Sequence, residues 1–310
     1  MNTTVESLIQ ASYNAFHLSS HRKLASNKRR SVKGGWESGL HMATVRLDQK
    51  NRALTRGIPD TFDRALANFF GTGPTDIVLA KEQHRAYRQA LLAAGIEVSV
   101  LPSDDNHPDC TFVEDQAVVI DGHVLLPVPG HPSRVNEQPP ISEFITRQLS
   151  GTKICSMHGD ARMDGGDILR LGDLFFVGRS SRTNDAGIEE LRDLLTHLGH
   201  ELRVIEIPGH ALHLTSISST PTDTVILAPE GFLPKDAFGE LPEGCEVKWM
   251  PAEEVYGCNT IGLPNGQVLL AEGYPTVLKT IEEMGLEPVL LDMSQIREAD
   301  GSLTCCSIFF

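Results

Sequence analysis

The sequence lacks the features that mark membrane proteins and small secreted proteins. Its longest apolar stretches, such as residues 124–128 and 225–228, have the length of a strand, far short of the roughly 20 residues that span a bilayer. Its six cysteines do not form the dense, spaced framework of a disulfide-rich scaffold. We therefore expect no transmembrane segment, no membrane partner and a reducing cytoplasm as the location.

Positive charge is scarce outside the N-terminus. Residues 1–41 are rich in serine and carry six Lys or Arg against two Glu, a net charge of +4. Residues 42–310 hold 21 basic and 39 acidic side chains, a net charge of −18. A body this acidic repels the phosphates of nucleic acids and attracts cations. The charge therefore argues against a nucleic-acid partner and favours a cationic small-molecule substrate.

The difference in charge between residues 1–41 and residues 42–310 predicts that the chain has two structurally distinct parts. Residues 1–41 are expected to be a disordered basic extension, and residues 42–310 one globular domain. A mitochondrial transit peptide and a true start at Met42 are the alternatives for the extension. Glu6, Glu37 and the absence of a long Arg-bearing amphipathic helix argue against the transit interpretation. A mitochondrial location is expected only if the extension is a transit peptide.

A repeated order of strands and helices runs from Thr44 to the C-terminus. A helix candidate follows each predicted hairpin, and a short strand ends each unit, at residues 98–101, 153–157, 202–207, 247–250 and 288–293. Paired apolar runs that flank a turn predict the hairpins VVI-DG-HVLLP, ILRL-GD-LFFVG, SISS-TPTD-TVILAP and TIGL-PNG-QVLLAEG, which begin at residues 118, 168, 216 and 260.

Residues 184–198 are the clearest helix candidate, with Asn184 as a possible N-cap and Ile188, Leu191 and Leu195 on one face. The first of about five units spans residues 44–101, and its missing hairpin strand lies at the C-terminus. Such a series favours radial closure over an open mixed α/β sheet, because an open sheet does not need a hairpin in every unit.

One polar residue stands at the start of the first hairpin strand in each unit. These residues are Asp115, Asp164, His213, Asn259 and Cys305, separated by 49, 49, 46 and 46 positions. Each has a structural explanation when taken alone, as a turn former, a cap or a buried thiol. Because all five share one phase of the repeat, radial closure would bring them to one central cavity.

A cysteine and a histidine in one cavity suit nucleophilic catalysis, since a thiolate attacks and an imidazole exchanges protons near neutral pH. Carboxylates beside a thiol raise its pKa unless a cation is bound, so a cationic substrate is implied. A guanidinium fits best, because its planar N–H donors pair with carboxylates. No CxxC or HExxH spacing supports a catalytic metal. No cofactor is expected, and inhibitory zinc at Cys305 and His213 stays open.

Longer motifs surround these residues. They are PDCTFVED at 108–115, PGHPSR at 129–134, DGGD at 164–167, FVG at 176–178, SRTN at 181–184, LHL at 212–214 and DGSLTCCS at 300–307. With them, residues 44–310 resemble the dimethylarginine dimethylaminohydrolases of the guanidino-modifying pentein superfamily. The resemblance implies an α/β fold, a five-bladed α/β propeller of ββαβ repeats around a central active site, with residues 42–310 as the catalytic domain.

The resemblance also assigns roles to matching positions. Cys305 is implied as the nucleophile, His213 as the general acid and base, and Asp164 as the acidic partner that holds the guanidinium. Arg134 and Arg182 match ligands of the substrate α-carboxylate. The full implied substrate-binding set is Leu54, Asp109, Glu114, Asp115, Arg134, Arg182 and Ala299, with Leu54 as the leucine of a mobile lid and the Ala299 backbone as a ligand of the α-amino group.

The implied reaction hydrolyses Nω-methylated arginines to citrulline and a methylated amine through a covalent thiouronium on Cys305. Cys306 is expected to be structural. Pro127-Val128 stand where relatives often have Thr-Arg, and a single Arg134 stands where a double arginine is common. The preference among dimethylarginine, monomethylarginine and unmethylated arginine therefore stays open. The alternatives are an arginine deiminase and a non-catalytic propeller that binds a ligand or partner. A homodimer also stays open.

Overall fold

The structure is a computed structural model that describes residues 46–149 and 151–310. The predicted extension at 1–41 and the predicted start of the repeat at Thr44 lie outside the described residues, so both stay predictions. No helix in the described part of the chain is long and apolar enough to cross a bilayer.

Fifteen strands are present among the described residues. They are β1 (Arg52–Arg56), β2 (Glu97–Leu101), β3 (Val118–Ile120), β4 (His123–Leu126), β5 (Lys153–Ser156), β6 (Ile168–Leu171), β7 (Leu174–Arg179), β8 (Glu201–Glu206), β9 (Ser219–Thr222), β10 (Val225–Pro229), β11 (Glu246–Met250), β12 (Thr260–Gly262), β13 (Gln267–Ala271), β14 (Glu287–Leu291) and β15 (Ile308–Phe309). The α-helices are α1 (Ile77–Ala93), α2 (Gln138–Gln148), α3 (Asp185–Leu198), α4 (Leu214–Ile217), α5 (Pro275–Glu283) and α6 (Ser294–Arg297).

The strands form five sheets of three strands each. In every sheet the middle strand pairs antiparallel with one neighbour and parallel with the other. The antiparallel neighbours β3, β6, β9, β12 and β15 are the inner strands, because β15 lies against β3, β6 against β9 and β9 against β12. The chain ends close the ring, since C-terminal β15 pairs with β1.

Local sequence explains most of these elements. Asp121 and Gly122 join β3 to β4 with φ of 44° and 73°, the positive values that a tight type I′ hairpin needs. Asn184 caps α3, and its side chain accepts a hydrogen bond from the amide of Gly187 at 2.9 Å. The predicted hairpin at residue 118 and the predicted helix at 184–198 are both present.

Two local predictions are wrong in the fourth unit. Residues 216–219 were expected to be a strand, but α4 occupies Leu214–Ile217, because His213 and Ser216 form a reciprocal capping box that starts a helical turn. No helix lies between β10 and β11, whereas one was expected after every hairpin. Residues 230–245 contain two prolines and glycines with positive φ, which prevent a continuous helix.

The hydrophobic core lies between neighbouring sheets and the helices that cover them. In one cluster the apolar face of α3, including Leu191 and Leu195, packs on Phe175 and Val177 of β7. Comparable clusters fill the other positions around the ring. The apolar residues are therefore buried between the sheets and their covering helices. The polar residues at the starts of the inner strands lie at the centre of the ring.

We expect Leu191→Ala to lower the free energy of unfolding by about 2–5 kcal/mol, because Leu191 is completely buried and its loss leaves a cavity. Leu92→Ala is the matched control, since Leu92 is 55% exposed in α1 and its truncation should cost less than about 0.5 kcal/mol. Urea unfolding of both variants checks this. Equal losses for the two variants would contradict the packing of α3.

Candidate active site

A short helical segment stands before the inner strand of every sheet, and one of the five polar residues that share a phase of the repeat lies in each segment or directly beside it. Turns of neighbouring sheets pack on one another around the centre. The residues and turns are Asp115 in Val113–Gln116, Asp164 just before Gly165–Asp167, His213 just before α4, Asn259 just after Ala252–Cys258, and Cys305 in Thr304–Cys306.

A small pocket opens at this centre. Its lining residues are Leu66, Asp109, Phe112, Asp115, Arg134, Arg182, Leu212, His213, Ala299, Asp300, Gly301 and Cys305. Seven of these were implied as site residues by sequence. Asp164 stands behind the lining, in contact with His213 and Arg182. Leu54, Glu114 and Asn259 do not line the pocket.

His213 is held between two buried carboxylates. Its Nε2 atom lies 3.0 Å from Oδ2 of Asp164, and its Nδ1 atom lies 3.8 Å from Oδ1 of Asp115. Burial alone would lower the pKa of His213, but the charges of Asp115 and Asp167 and the bond with Asp164 raise it to about 9. The imidazole is therefore protonated at neutral pH and holds a proton that it can donate to a leaving group.

Asp164 fixes the orientation of that imidazole. Its Oδ1 atom accepts a hydrogen bond from the amide of Gly130 at 2.7 Å, and its Oδ2 atom accepts one from Nη1 of Arg182 at 3.2 Å. Burial would raise the pKa of Asp164, but His213 and the nearby arginines lower it to about 2. This carboxylate stays ionised across the working pH range of ordinary enzymes.

Cys305 is 4% exposed, and its Sγ atom lies 3.2 Å from Oγ of Ser302. Burial raises the pKa of the thiol well above its usual range, and the charges of Glu114 and Asp115 raise it further. In the free protein Cys305 therefore keeps its proton at neutral pH. A cation placed beside the sulfur would favour the thiolate, which is the reactive form.

Two arginine side chains already pair with the central carboxylates. Nη1 of Arg134 donates a short hydrogen bond to Oδ2 of Asp115, and Arg182 pairs with Asp164. Arg134 is buried and also donates to Glu137, from Nε at 3.0 Å and from Nη2 at 2.8 Å. The carboxylates of the site are thus already arranged to accept guanidinium N–H donors.

Glu114 is not among the residues that line this pocket, and its implied place in the substrate-binding set stays a prediction. Its Oε2 atom accepts a hydrogen bond from Oγ1 of Thr304 at 2.9 Å, next to Cys305. It lines a second pocket together with Gly165, Thr215 and Thr304. Burial and the charge of Asp115 raise the pKa of Glu114 to about 8. Glu114 supports the turn that carries Cys305 rather than contacting the pocket.

The prediction of Leu54 as a lid residue is wrong. Leu54 lies in β1 between β15 and β2, is completely buried, and packs with Val113 and Ile308 in the core. Leu66, in the connection between β1 and α1, lines the pocket instead. The length and the Gly-rich end of that connection are signals that could have pointed to it, because long connections are often functional.

Four more lining residues had no predicted role: Phe112, Leu212, Asp300 and Gly301. All four belong to motifs that the sequence analysis identified. The sequence thus indicated that these segments lie near the site, but it did not show which of their side chains line the pocket. Asn259 has a supporting place, because its Nδ2 atom donates to the Thr215 carbonyl at 2.6 Å and its Oδ1 atom accepts from the Thr304 amide at 3.2 Å. It braces the turn that holds the nucleophile candidate.

The group most suited to a metal among the described residues is Asp115, Asp164 and His213. One ligand atom from each lies within 4.8 Å of the others, and all three residues are buried. Both carboxylates already pair with arginines, and the imidazole is protonated by their charge. A metal would have to displace a proton and two guanidinium contacts, so the set suits an organic cation better than a metal ion.

The fold and the site together define the class. Five three-stranded sheets around a centre that holds a cysteine, a histidine and carboxylates facing guanidinium groups are those of a guanidino-modifying pentein enzyme. The family described as N,N dimethylarginine dimethylhydrolase, eukaryotic, matches residues 74–235. The chain belongs to the dimethylarginine dimethylaminohydrolase family.

Known proteins agree with this placement. The N(G),N(G)-dimethylarginine dimethylaminohydrolase of Streptomyces coelicolor is 33% identical over 260 residues, which are 83% of this chain and 96% of that protein. A Cys-to-Ser variant of the Pseudomonas aeruginosa enzyme, solved with citrulline, is 28% identical over 84% of this chain and 99% of its own, with a TM-score of 0.76. The N-terminal domain of a cyanobacterial arginine dihydrolase, 15% identical over 83% of this chain and 97% of its own, shares the fold with a TM-score of 0.73. The predicted propeller is confirmed.

We expect His213 to titrate with a midpoint near 9, so that the ring is protonated at pH 7.5 and loses its proton only as the pH rises further. Asp164→Asn should lower the midpoint by at least about one unit, because it removes a negative charge that favours the imidazolium. NMR of ¹³C-labelled histidine in both proteins measures this. A midpoint below 7 in the unmodified protein would contradict the electrostatics described above.

Proposed function

We propose that this protein hydrolyses Nω-methylated arginines, asymmetric dimethylarginine and monomethylarginine, to citrulline and a methylated amine. The proposal is carried by one observation: Cys305, His213 and the carboxylate of Asp115 line one pocket of a chain in this family, and Asp164 contacts His213 directly behind that lining. The name of the Streptomyces relative and the citrulline in the Pseudomonas structure support the same reaction.

Substrate binding uses charge on both sides of the pocket. The substrate guanidinium would face Asp115 and Asp164, replacing the guanidinium groups that contact them in the free protein. Arg134 and Arg182, thereby released, would bind the α-carboxylate. Asp109 and the backbone at Ala299 also line the pocket and would take the α-amino group.

The first half of the reaction forms a carbon–sulfur bond. The positive charge of the bound guanidinium lowers the pKa of Cys305, whose thiol proton passes to solvent water, and the resulting thiolate attacks the guanidinium carbon. The C–N bond to the methylated nitrogen then breaks, and His213 donates its proton to the departing amine. The product of this half is a thiouronium on Cys305, with Asp164 holding the imidazole in place.

The second half returns the enzyme to its starting state. His213 is now neutral and can take a proton from a water molecule that attacks the thiouronium carbon. The carbon–sulfur bond breaks, citrulline forms with the oxygen of that water, and the thiol of Cys305 is restored. Every proton moves between groups of the chain, the substrate and water, so no cofactor enters the reaction as proposed.

Inhibition by zinc through Cys305 and His213 belongs to the same proposal. A thiolate and a neutral imidazole are strong zinc ligands, and both side chains line the pocket. Zinc there would occupy the sulfur that must attack the substrate and the nitrogen that must carry the proton. Inhibition should therefore compete with substrate and fall as the pH falls, because protons compete for both ligands.

We expect Cys305→Ser to lower kcat for methylated arginine by at least about 1,000-fold, since a serine hydroxyl in this site is a far weaker nucleophile than a thiolate. Cys306→Ser is the matched control and should keep kcat within about fivefold, because Cys306 faces the Ser302 carbonyl rather than the pocket. Citrulline release measures both variants. Full activity in Cys305→Ser would exclude the proposed nucleophile.

Substrate identity is tested with asymmetric dimethylarginine, monomethylarginine and arginine in one assay. We expect kcat/KM to be at least about tenfold higher for the methylated compounds than for arginine. Acid quenching during turnover should trap the thiouronium, which intact-protein mass spectrometry would detect as added mass on the peptide that contains Cys305. A preference for arginine would replace the proposal with an arginine deiminase activity, and no citrulline from any of the three would exclude both.

A further inference from the structure

Residues 57–76, here called the covering segment, connect β1 to α1 and close one side of the pocket. Leu66 of this segment lines the pocket. Phe62 anchors its first part by packing edge-on against Phe112, with ring centroids 5.8 Å apart. The part at residues 66–72 is held differently, because its backbone amides are bound by side-chain carboxylates from elsewhere in the chain.

One carboxylate binds most of those amides. The side chain of Asp300 accepts hydrogen bonds from the amides of Phe69 at 3.0 Å, Phe70 at 2.7 Å and Gly71 at 2.7 Å, and a shorter one from Asn68. Asp300 is 4% exposed. Hydrogen bonds from several N–H groups to one ionised, buried acceptor are among the stronger polar contacts in proteins. This carboxylate therefore gathers four consecutive amides of the covering segment.

The turn that carries Asp300 is itself tightly defined. Asp300 has a φ of 59°, its amide donates to the Arg297 carbonyl at 3.0 Å, and the amide of Gly301 donates to Ile296 at 3.0 Å. Residues 299–301 also line the pocket. One tightly defined turn thus forms part of the pocket lining. Its acidic side chain, Asp300, also holds the segment that covers the pocket.

We propose that Asp300 is a positioning residue that holds the covering segment over the substrate, a role that rests on the proposed function. Asp109 also holds the segment, by accepting a hydrogen bond from the Leu66 amide at 3.0 Å, but Asp109 is a candidate ligand of the substrate amino group. Glu298 binds the amide and hydroxyl of Thr72 at an exposed position, outside residues 68–71. Asp300 is thus the buried anchor of residues 68–71 that the substrate has no need to displace.

Asp300→Asn is the test variant, because asparagine keeps the size and tolerates the positive φ but presents one acceptor oxygen instead of two. We expect KM for methylated arginine to rise at least about tenfold while kcat changes less than about threefold. Amide hydrogen exchange at residues 68–71 should accelerate at least about tenfold. Asp63→Asn is the matched control, since Asp63 is exposed on the same segment and should change neither measurement.

An Asp300→Asn protein with unchanged KM and unchanged exchange would overturn the proposal, and so would a fall in kcat at constant KM, which would place Asp300 in the chemical step. Asp300→Gly, which relieves the positive φ, should reproduce the Asn result. Should neither variant fold, exchange in the unmodified protein decides: slow exchange at residues 68–71 supports the anchor and fast exchange overturns it. Absence of turnover with every guanidine would remove the proposed function, while the exchange result would still stand on its own.

Discussion

Negative charge buried at the centre of the propeller constrains every other group of the site. Asp164 and Asp115 are 0% and 2% exposed, and a buried carboxylate must be matched by hydrogen-bond donors or cations. The backbone supplies one donor to each, from Gly130 and Gly166, and side-chain cations supply the rest. The high pKa of His213 and the need for arginine partners follow directly from that requirement.

The backbone donors explain the glycines in two of the motifs. A Cβ atom at Gly166 would lie 2.8 Å from Nδ1 of His213 and 2.9 Å from Oδ1 of Asp115, and one at Gly130 would lie 2.2 Å from the Arg182 carbonyl oxygen. Neither glycine has a positive φ, so these positions need space rather than an unusual backbone. Closely packed turns therefore bring the donors to the carboxylates, and a side chain at either glycine would separate them.

This geometry also separates what the sequence could predict from what it could not. Cys305 and His213 could be predicted because a short helical segment precedes each inner strand. The polar residues at these places therefore recur at nearly equal spacing along the sequence. Leu54 and Leu66 flank the end of the same strand, and only tertiary contacts show which one reaches the pocket. Asp300 belongs to the motif at residues 300–307, but the backbone amides that it binds lie 229 to 232 residues earlier in the sequence. A local sequence pattern does not indicate a contact between residues so far apart.

The balance of charge at the centre of the site determines whether the thiol of Cys305 keeps its proton. In the free protein each central carboxylate is already paired, so an additional negative charge on Cys305 would have no cation to offset it, and burial keeps the proton on sulfur. A bound guanidinium adds one positive charge at the carboxylates. Of the groups nearby, His213 is held protonated by Asp164, and Asp164 is already ionised. Glu114, whose pKa is raised to about 8, and Cys305 both keep protons that they can lose, and under the proposed function the bound substrate favours the Cys305 thiolate.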